Sequence, residues 1–164
     1  MVGSLRDVAI IVGPGSLDGG ENGPVARARL FELPVKRIEE FRVVHLRGSL
    51  SDEQVNGLAT ALVVDPVGQW WSLAERAEQG QLVIETGLRP GVTDREGAEL
   101  VRSAVELGLP VEAATIGRRF VIEGELNDAE VETLARRVLH NEVIERWSVG
   151  SLAAAFTSTD TEAP

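Results

Sequence analysis

The 164-residue chain contains no cysteine, and this absence excludes several kinds of site at once. Without thiols there is no disulfide framework, no thiolate-bound metal and no cysteine nucleophile. Basic residues are also in the minority, because 16 Lys and Arg stand against 26 Asp and Glu and the net charge is -10. Nucleic acids and anionic membrane surfaces attract clustered cations, so we expect neither of them as a partner.

Long apolar runs are missing as well. The chain has no stretch of about 18 consecutive apolar residues, the length that a membrane-spanning helix requires. Its N-terminus also lacks a basic region followed by an apolar stretch, which is the pattern of a signal peptide. We therefore expect a cytoplasmic protein.

Patterns that support catalysis or phosphate binding are not found either. His45 and His140 are the only histidines, and neither lies in a carboxylate pattern that would build a metal site. The glycine-rich stretch 13–23 is not followed by Gly-Lys-Ser/Thr, so we interpret it as a plain loop. The sequence therefore predicts no catalytic, cofactor-binding or metal-binding residue in this chain.

What the chain does contain is an internal duplication. Residues 8–73 align without a gap on residues 84–149, at an offset of 76, with 18 identities in 66 positions. Chance would give about 4 or 5, since common residues match at about one position in fifteen. A unit of about 70 residues buries only a modest share of its own surface. The repeat therefore predicts two units that share a buried face as a pseudo-two-fold dimer.

Each unit has the pattern β-α-β-α-β, and the middle strand could also be two strands around a turn, such as the one at Gly117. Capping boxes begin the second helix of each unit, at Ser51 with Gln54 and at Asn127 with Glu130. We expect an α+β fold in which helices cover one face of mainly antiparallel sheets, and in which the two free faces cover each other.

The predicted domain boundaries follow from this repeat. The first unit spans residues 1–73, the connector 74–81, the second unit 82–150 and a flexible, Ala-, Ser- and Thr-rich tail 151–164. The equivalent Trp71 and Trp147 are predicted core residues. Strand alternation places Trp70 on the side opposite to Trp71, so Trp70 is a candidate interface residue.

Two motifs of the second unit resemble the PurS family, the small non-catalytic subunit of bacterial and archaeal phosphoribosylformylglycinamidine synthase. The first is the turn RPGVTDREG at residues 89–97, between a strand and a helix. The second is LHNEVIERW at residues 139–147, with Glu142 where the family has proline. The first unit is a weaker match, with Glu21 where the second has Gly97. The whole chain resembles a fused PurS pair, either a free subunit or the first domain of a longer polypeptide.

The resemblance implies an assembly role in purine biosynthesis, as a bridge that helps ammonia to pass from a PurQ-type glutaminase to a PurL-type synthetase. The family's catalytic residues, and its use of ATP, magnesium and glutamine, belong to those partners, so no cofactor is expected here. Self-association stays open, and so does an alternative function as a free-standing regulatory module that binds a small molecule. The candidate partner contacts are Arg89, Pro90, Gly91, Asp94, Gly97, Arg118, Arg119 and Trp70.

Overall fold

The computed structural model describes residues 4–17, 23–74, 81–153 and 156. The first unit contains β1 (Arg6–Leu17), α1 (Pro24–Leu30), β2 (Val35–Gly48), α2 (Asp52–Leu58) and β3 (Trp70–Leu73). The second contains β4 (Leu82–Leu88), α3 (Arg95–Glu106), β5 (Val111–Gly124), α4 (Asp128–Leu134) and β6 (Glu145–Val149). α2 and α4 each continue into one π-helical turn, at Ala59–Val63 and Ala135–Leu139. Most of the predicted connector, residues 75–80, lies outside the described residues.

In the described residues, six strands form one antiparallel sheet in the order β3-β1-β2-β5-β4-β6. Ile38 and Val44 of β2 belong to two different helix-covered cores and are six residues apart, so both cores lie on the same face. The α+β prediction with helices on one face is confirmed. The expectation that two free faces cover each other is wrong, because the units join edge to edge through β2 and β5.

A pseudo-two-fold axis passes through the centre of this sheet. Arg42 of β2 pairs with Arg118 of β5, and these two residues are equivalent at the offset of 76. Register shifts occur on both sides of the pair, where Gly48 and Gly124 lie. A Cβ on Gly48 would lie 2.2 Å from the Pro110 carbonyl oxygen, and one on Gly124 would lie 2.4 Å from that of Pro34. Both copies thus keep glycine because the backbones approach closely.

Each hydrophobic core is built from both units. β2 and β5 are 14 residues long, about 46 Å, so each strand extends below both helix pairs. The first core combines β1, β2 and α2 with Ala104, Val111 and Ala114 of the second unit. The second core combines β4, β5 and α4 with residues of the first unit, namely Val25, Ala28, Leu33, Val35 and Ile38. Neither unit can therefore complete its core alone.

The middle strand of the second unit is continuous. β5 runs through Gly117 without a break, so the predicted turn at that residue is wrong. Gly117 pairs with Gly87 of β4, and a Cβ on Gly117 would lie 2.6 Å from the Thr86 carbonyl oxygen. The glycine permits close approach between strands, and the local turn signal is overridden by pairing on both sides of β5.

The first strands of the two units depart from the ungapped alignment. Ile10 pairs with Val44, and Ile84 pairs with Phe120, the equivalent of Val44. Ile10 therefore corresponds to Ile84 at an offset of 74, two residues less than elsewhere. β1 also extends through residues 13–15 to Leu17, whereas β4 ends at Leu88. The predicted equivalence of the Pro14-Gly15 and Pro90-Gly91 turns is wrong.

A left-handed backbone conformation follows the first helix of each unit. Gly108 has φ 75°, and its equivalent Glu32 has φ 58°. A side chain in this region costs roughly 1–2 kcal/mol, partly offset by the entropy that glycine loses on folding. We expect Glu32→Gly to raise the free energy of unfolding by about 0.5–1 kcal/mol, measured from the urea midpoint at constant m-value. Gly108→Ala should lower the free energy of unfolding by a similar amount. If the urea midpoint is unchanged in both variants, the left-handed conformation does not strain a side chain at these positions.

The start of the predicted flexible tail contacts the helix-free face. The Gly150 N–H donates to the Val83 carbonyl at 2.7 Å, and the Leu152 N–H donates to Glu85 Oε1 at 2.9 Å. The Arg47 guanidinium lies 4.6 Å from the centre of the Phe156 ring. Gly150 ends the predicted second unit, whereas Leu152 and Phe156 belong to the predicted tail and contact the sheet, so the flexibility of the tail stays a prediction. Residues 154–155 and 157–164 lie outside the described residues.

Candidate functional site

The two motifs of the second unit, 50 residues apart in sequence, meet where β4 ends and β6 begins. The Arg89 N–H donates to the Ile144 carbonyl at 2.7 Å, and Arg89 Nε donates to the Glu142 carbonyl at 3.1 Å. Gly91 has φ 87°, which explains the glycine in this turn. Arg89, Pro90 and Gly91 are exposed, so the structure places them where a partner could reach them.

Asp94 fixes the start of α3 on the sheet. Its Oδ1 accepts the Gly97 N–H at 2.8 Å, as an N-cap does. Its Oδ2 accepts the Thr115 hydroxyl at 2.8 Å and the Ile116 N–H at 3.0 Å. Gly97 is buried, and a Cβ there would lie 2.3 Å from the Ala114 carbonyl oxygen. These two predicted contact residues therefore hold the loop in place from inside.

Arg118 links three elements at the helix face. Its Nη2 donates to the two Glu145 carboxylate oxygens at 2.9 and 3.0 Å, and to the Leu139 carbonyl at 3.0 Å. Its Nη1 lies 3.4 Å from Glu40 Oε1 in β2. Charge-assisted bonds of this kind are stronger than neutral ones. Arg118 thus caps the end of the helical stretch that begins with α4 and ties it to β6.

Arg42 is the counterpart of Arg118 in the first unit. Its Nη1 approaches the Val63 carbonyl at 3.5 Å, the position equivalent to Leu139. Its carboxylate partner is Glu96 of α3, at 3.0 Å, and so comes from the second unit. Gln69 stands where the second unit has Glu145. The identity of the two arginines signalled a shared structural role, whereas the carboxylates around them differ between the copies.

A groove of about 570 Å³ lies between the start of α3 and β6. It brings Asp94 and Arg118 together with residues that sequence reasoning did not single out, among them Thr93, Arg95 and Glu145. Both signs of charge line it, and Leu88 and Ile116 add apolar surface. The groove is therefore suited to a polar loop or a small molecule carrying charges of both signs.

Arg119 lies on the helix-free face and is buried, so the expectation of an exposed basic contact is wrong. Its guanidinium Nη1 is 3.5 Å from Glu85 Oε2, and the two side chains are 6% and 3% exposed. Burial raises the pKa of Glu85, and the Leu152 N–H and Arg119 oppose that shift. Alternation along β5 separates Arg119 from Arg118 by one sheet thickness, which adjacency in sequence conceals.

Trp70 lies on β3, at the opposite end of the sheet from β6. It is 49% exposed, and its ring centre is 6.3 Å from that of Phe41. Gly13 makes room for it, because a Cβ on Gly13 would lie 2.0 Å from the indole. Trp71 and Trp147 pack against the two cores, as predicted.

The structure thus divides the predicted contact residues into three groups. Arg89, Pro90, Gly91, Asp94, Gly97 and Arg118 lie around one corner of the second unit, whereas Arg119 is below the sheet and Trp70 is at the far edge. Sequence reasoning missed Glu145 and Glu40, the carboxylate partners of Arg118. Within the described parts of the chain, no helix is long and apolar enough to cross a membrane.

Fold and site together define an α+β protein with a continuous antiparallel sheet, in which polar side chains such as Asp94 and Arg118 hold loops in place. Residues 81–152 match the PurS family, described as phosphoribosylformylglycinamidine (FGAM) synthase. This confirms the PurS resemblance for the second unit. The match covers the second unit, so the fused pair stays a prediction, which the pseudo-two-fold arrangement supports. A comparison with curated proteins gives no match.

Proposed function

We propose that the chain is a non-catalytic assembly component of phosphoribosylformylglycinamidine synthase, acting in purine biosynthesis. In this role it connects a PurQ-type glutaminase to a PurL-type synthetase and helps ammonia to pass between them. The observation that carries the proposal is the family match over residues 81–152. The partners would supply the catalytic residues and bind ATP, magnesium and glutamine.

The geometry of the site supports an assembly role. Internal hydrogen bonds of Asp94, and those of the Arg89 N–H and Nε to the Ile144 and Glu142 carbonyls, fix the loop that exposes Arg89, Pro90 and Gly91. A loop held in this way loses little conformational entropy when a partner binds. The continuous sheet also keeps the two units in a constant relative position. Both properties suit a rigid spacer between two catalytic subunits.

The test is a reconstitution with the synthetase and the glutaminase of the same organism. We expect turnover with glutamine as nitrogen source to require the chain, because ammonia must pass between subunits. Turnover with free ammonia should persist without the chain, because the synthetase alone can use it. If glutamine-dependent turnover is the same with and without the chain, and no complex forms on a sizing column, the proposal is wrong.

A second candidate function is a regulatory module that binds a small molecule, and the groove beside Arg118 favours it. Under this alternative the chain alone would bind a charged metabolite. A thermal-shift screen of amino acids and nucleotides against the chain alone separates the two candidates, with Arg118→Met as the matched variant. A saturable shift that this variant abolishes, together with indifference of glutamine-dependent turnover, would favour the regulatory function.

A further inference from the structure

A second groove lies in the first unit, between α1 and the first residues of β2, and its volume is about 490 Å³. Its charged side chains are Arg29 of α1 and Lys36 and Arg37 of β2, and there is no carboxylate among the described residues that line it. The apolar part of its lining is Leu17, Val25, Ala26 and Ile38. We call it the basic groove. Its charge is opposite to that of the whole chain, which is -10.

A β-bulge accounts for the two neighbouring cations of β2 in one groove. Consecutive side chains of a regular strand point to opposite faces of the sheet. In the pairing of β2 with β5, Val35 lies opposite Gly124 and Arg37 lies opposite Glu123, so Lys36 is the extra residue on β2. A bulge changes the direction of the side chains beside it. Lys36 and Arg37 can therefore line the same groove although they are adjacent in sequence.

The three cations have no carboxylate partner in the described part of the chain. Arg29, Lys36 and Arg37 are exposed, and none of them forms an ion pair there. Glu39 lies opposite Leu17 and Glu123 lies opposite Arg37 on the paired strands, but neither glutamate lines the groove. A cleft lined by charges of one sign concentrates the electric field and attracts counterions. The basic groove is therefore suited to an anion.

The second unit repeats this local architecture without the positive charge. Its own bulge leaves Glu112 as the extra residue of β5. The positions equivalent to the three cations at the offset of 76 are Val105, Glu112 and Ala113. Because the same bulge forms with a glutamate and an alanine, the fold does not require cations at these positions. The positive charge of the basic groove is thus a property of the first unit alone and calls for a different explanation.

We propose that the basic groove binds a small phosphorylated molecule. Arginine guanidinium groups donate paired hydrogen bonds to phosphate oxygens, and lysine adds a compact positive charge. A phosphate group carries a charge of about -1.5 to -2 at pH 7, so one or two such groups balance the three cations. The volume lies within the range of small-molecule sites, and the apolar lining contacts the uncharged part of the ligand. This site goes beyond the proposed function, which requires no ligand in this chain.

Inorganic pyrophosphate is the probe, titrated into the full chain at about pH 7 and followed by calorimetry and by amide NMR shifts. We expect saturable binding with shifts at Ala26 and Ile38. Arg29→Met and Lys36→Met should each weaken binding by about ten-fold or more, because each variant loses a charge-assisted contact. Arg27→Met is the matched control, since Arg27 is exposed in the same last turn of α1 but does not line the groove. It should stay within about two-fold, and circular dichroism checks that all variants fold.

The remaining outcomes would overturn the inference. If pyrophosphate does not bind saturably, or if Arg27→Met weakens binding as much as Arg29→Met, the groove exerts only a general attraction for anions. Binding that survives in both Arg29→Met and Lys36→Met belongs to another site. If the chain binds vesicles containing phosphatidylglycerol, or a short oligoglutamate peptide, but not pyrophosphate, the occupant is a membrane surface or an acidic polypeptide. These measurements use neither glutaminase nor synthetase, so their failure leaves the proposed function to its own test.

Discussion

Replacing Gly97 with alanine is expected to lower the free energy of unfolding by about 3 kcal/mol. The added Cβ would lie 2.3 Å from the Ala114 carbonyl oxygen and 3.0 Å from the Asp94 side chain, and the first contact is with backbone. α3 must therefore move away from β5. The movement stretches the hydrogen bonds of Asp94 to Thr115 and Ile116 and withdraws Ala104 from the first core.

Gly57→Ala is the matched control for Gly97→Ala. Gly57 also lies within a helix, but a Cβ there would meet no atom within 4 Å. Alanine should stabilise this position by about 0.5–1 kcal/mol, because glycine loses more backbone entropy on folding. Urea unfolding of the two variants should therefore give changes of opposite sign. If the unfolding free energy of Gly97→Ala lies within about 0.5 kcal/mol of that of the original chain, the packing of α3 on β5 does not exclude a side chain at this position.

Acidification from pH 7 to pH 4 is expected to remove about 3 kcal/mol of stability through His45. The pKa of His45 is lowered from 6.5 to about 4, mainly by burial and also by the charge of Arg146, while Asp7 opposes the shift. The unfolded chain therefore binds a proton at this residue before the folded chain does. The stability is complete above pH 6.5 and is lost as the pH falls from about 6.5 to about 4.

His45→Gln isolates this contribution, because glutamine is uncharged over the whole range. The unfolding free energy of the variant should vary less between pH 7 and pH 4 than that of the original chain, by about 3 kcal/mol. Asp7 and Glu85 titrate in both proteins. The pKa of Asp7 is lowered by its hydrogen bond to Arg47, so its own contribution is lost at still lower pH. Parallel stability curves for the two proteins would show that His45 is not responsible.

Local signals in the sequence predicted much of this fold. The capping boxes at Ser51 and Asn127 are present, because cap geometry depends on residues three positions apart. The amphipathic stripe of α4 predicted the buried Leu134 and Ala135 for the same reason. The repeat predicted a pseudo-two-fold arrangement, and the paired Arg42 and Arg118 mark its axis.

The candidate site was predicted less completely. The first motif pointed to the loop from Arg89 to Asp94, and the structure places Asp94 in one groove with Arg118. Glu145 could have been found as the residue before Arg146 in the second motif, but its bond to Arg118 depends on the pairing of β6 with β4. The prediction that Arg119 is exposed was wrong because its burial depends on tertiary contacts. Arg119 pairs with Glu85 on the helix-free face, and Glu85 in turn accepts a hydrogen bond from Leu152.

The amino-acid sequence by itself determined the duplication, the helix starts and the apolar stripes, because each of these depends on spacing along the chain. Only the tertiary structure decided that the units join through β2 and β5, that Gly117 lies inside a strand and that each core uses both units. Those features depend on hydrogen bonds and packing between residues distant in sequence. A glycine looks the same in sequence whether it forms a turn or lets a neighbouring strand approach.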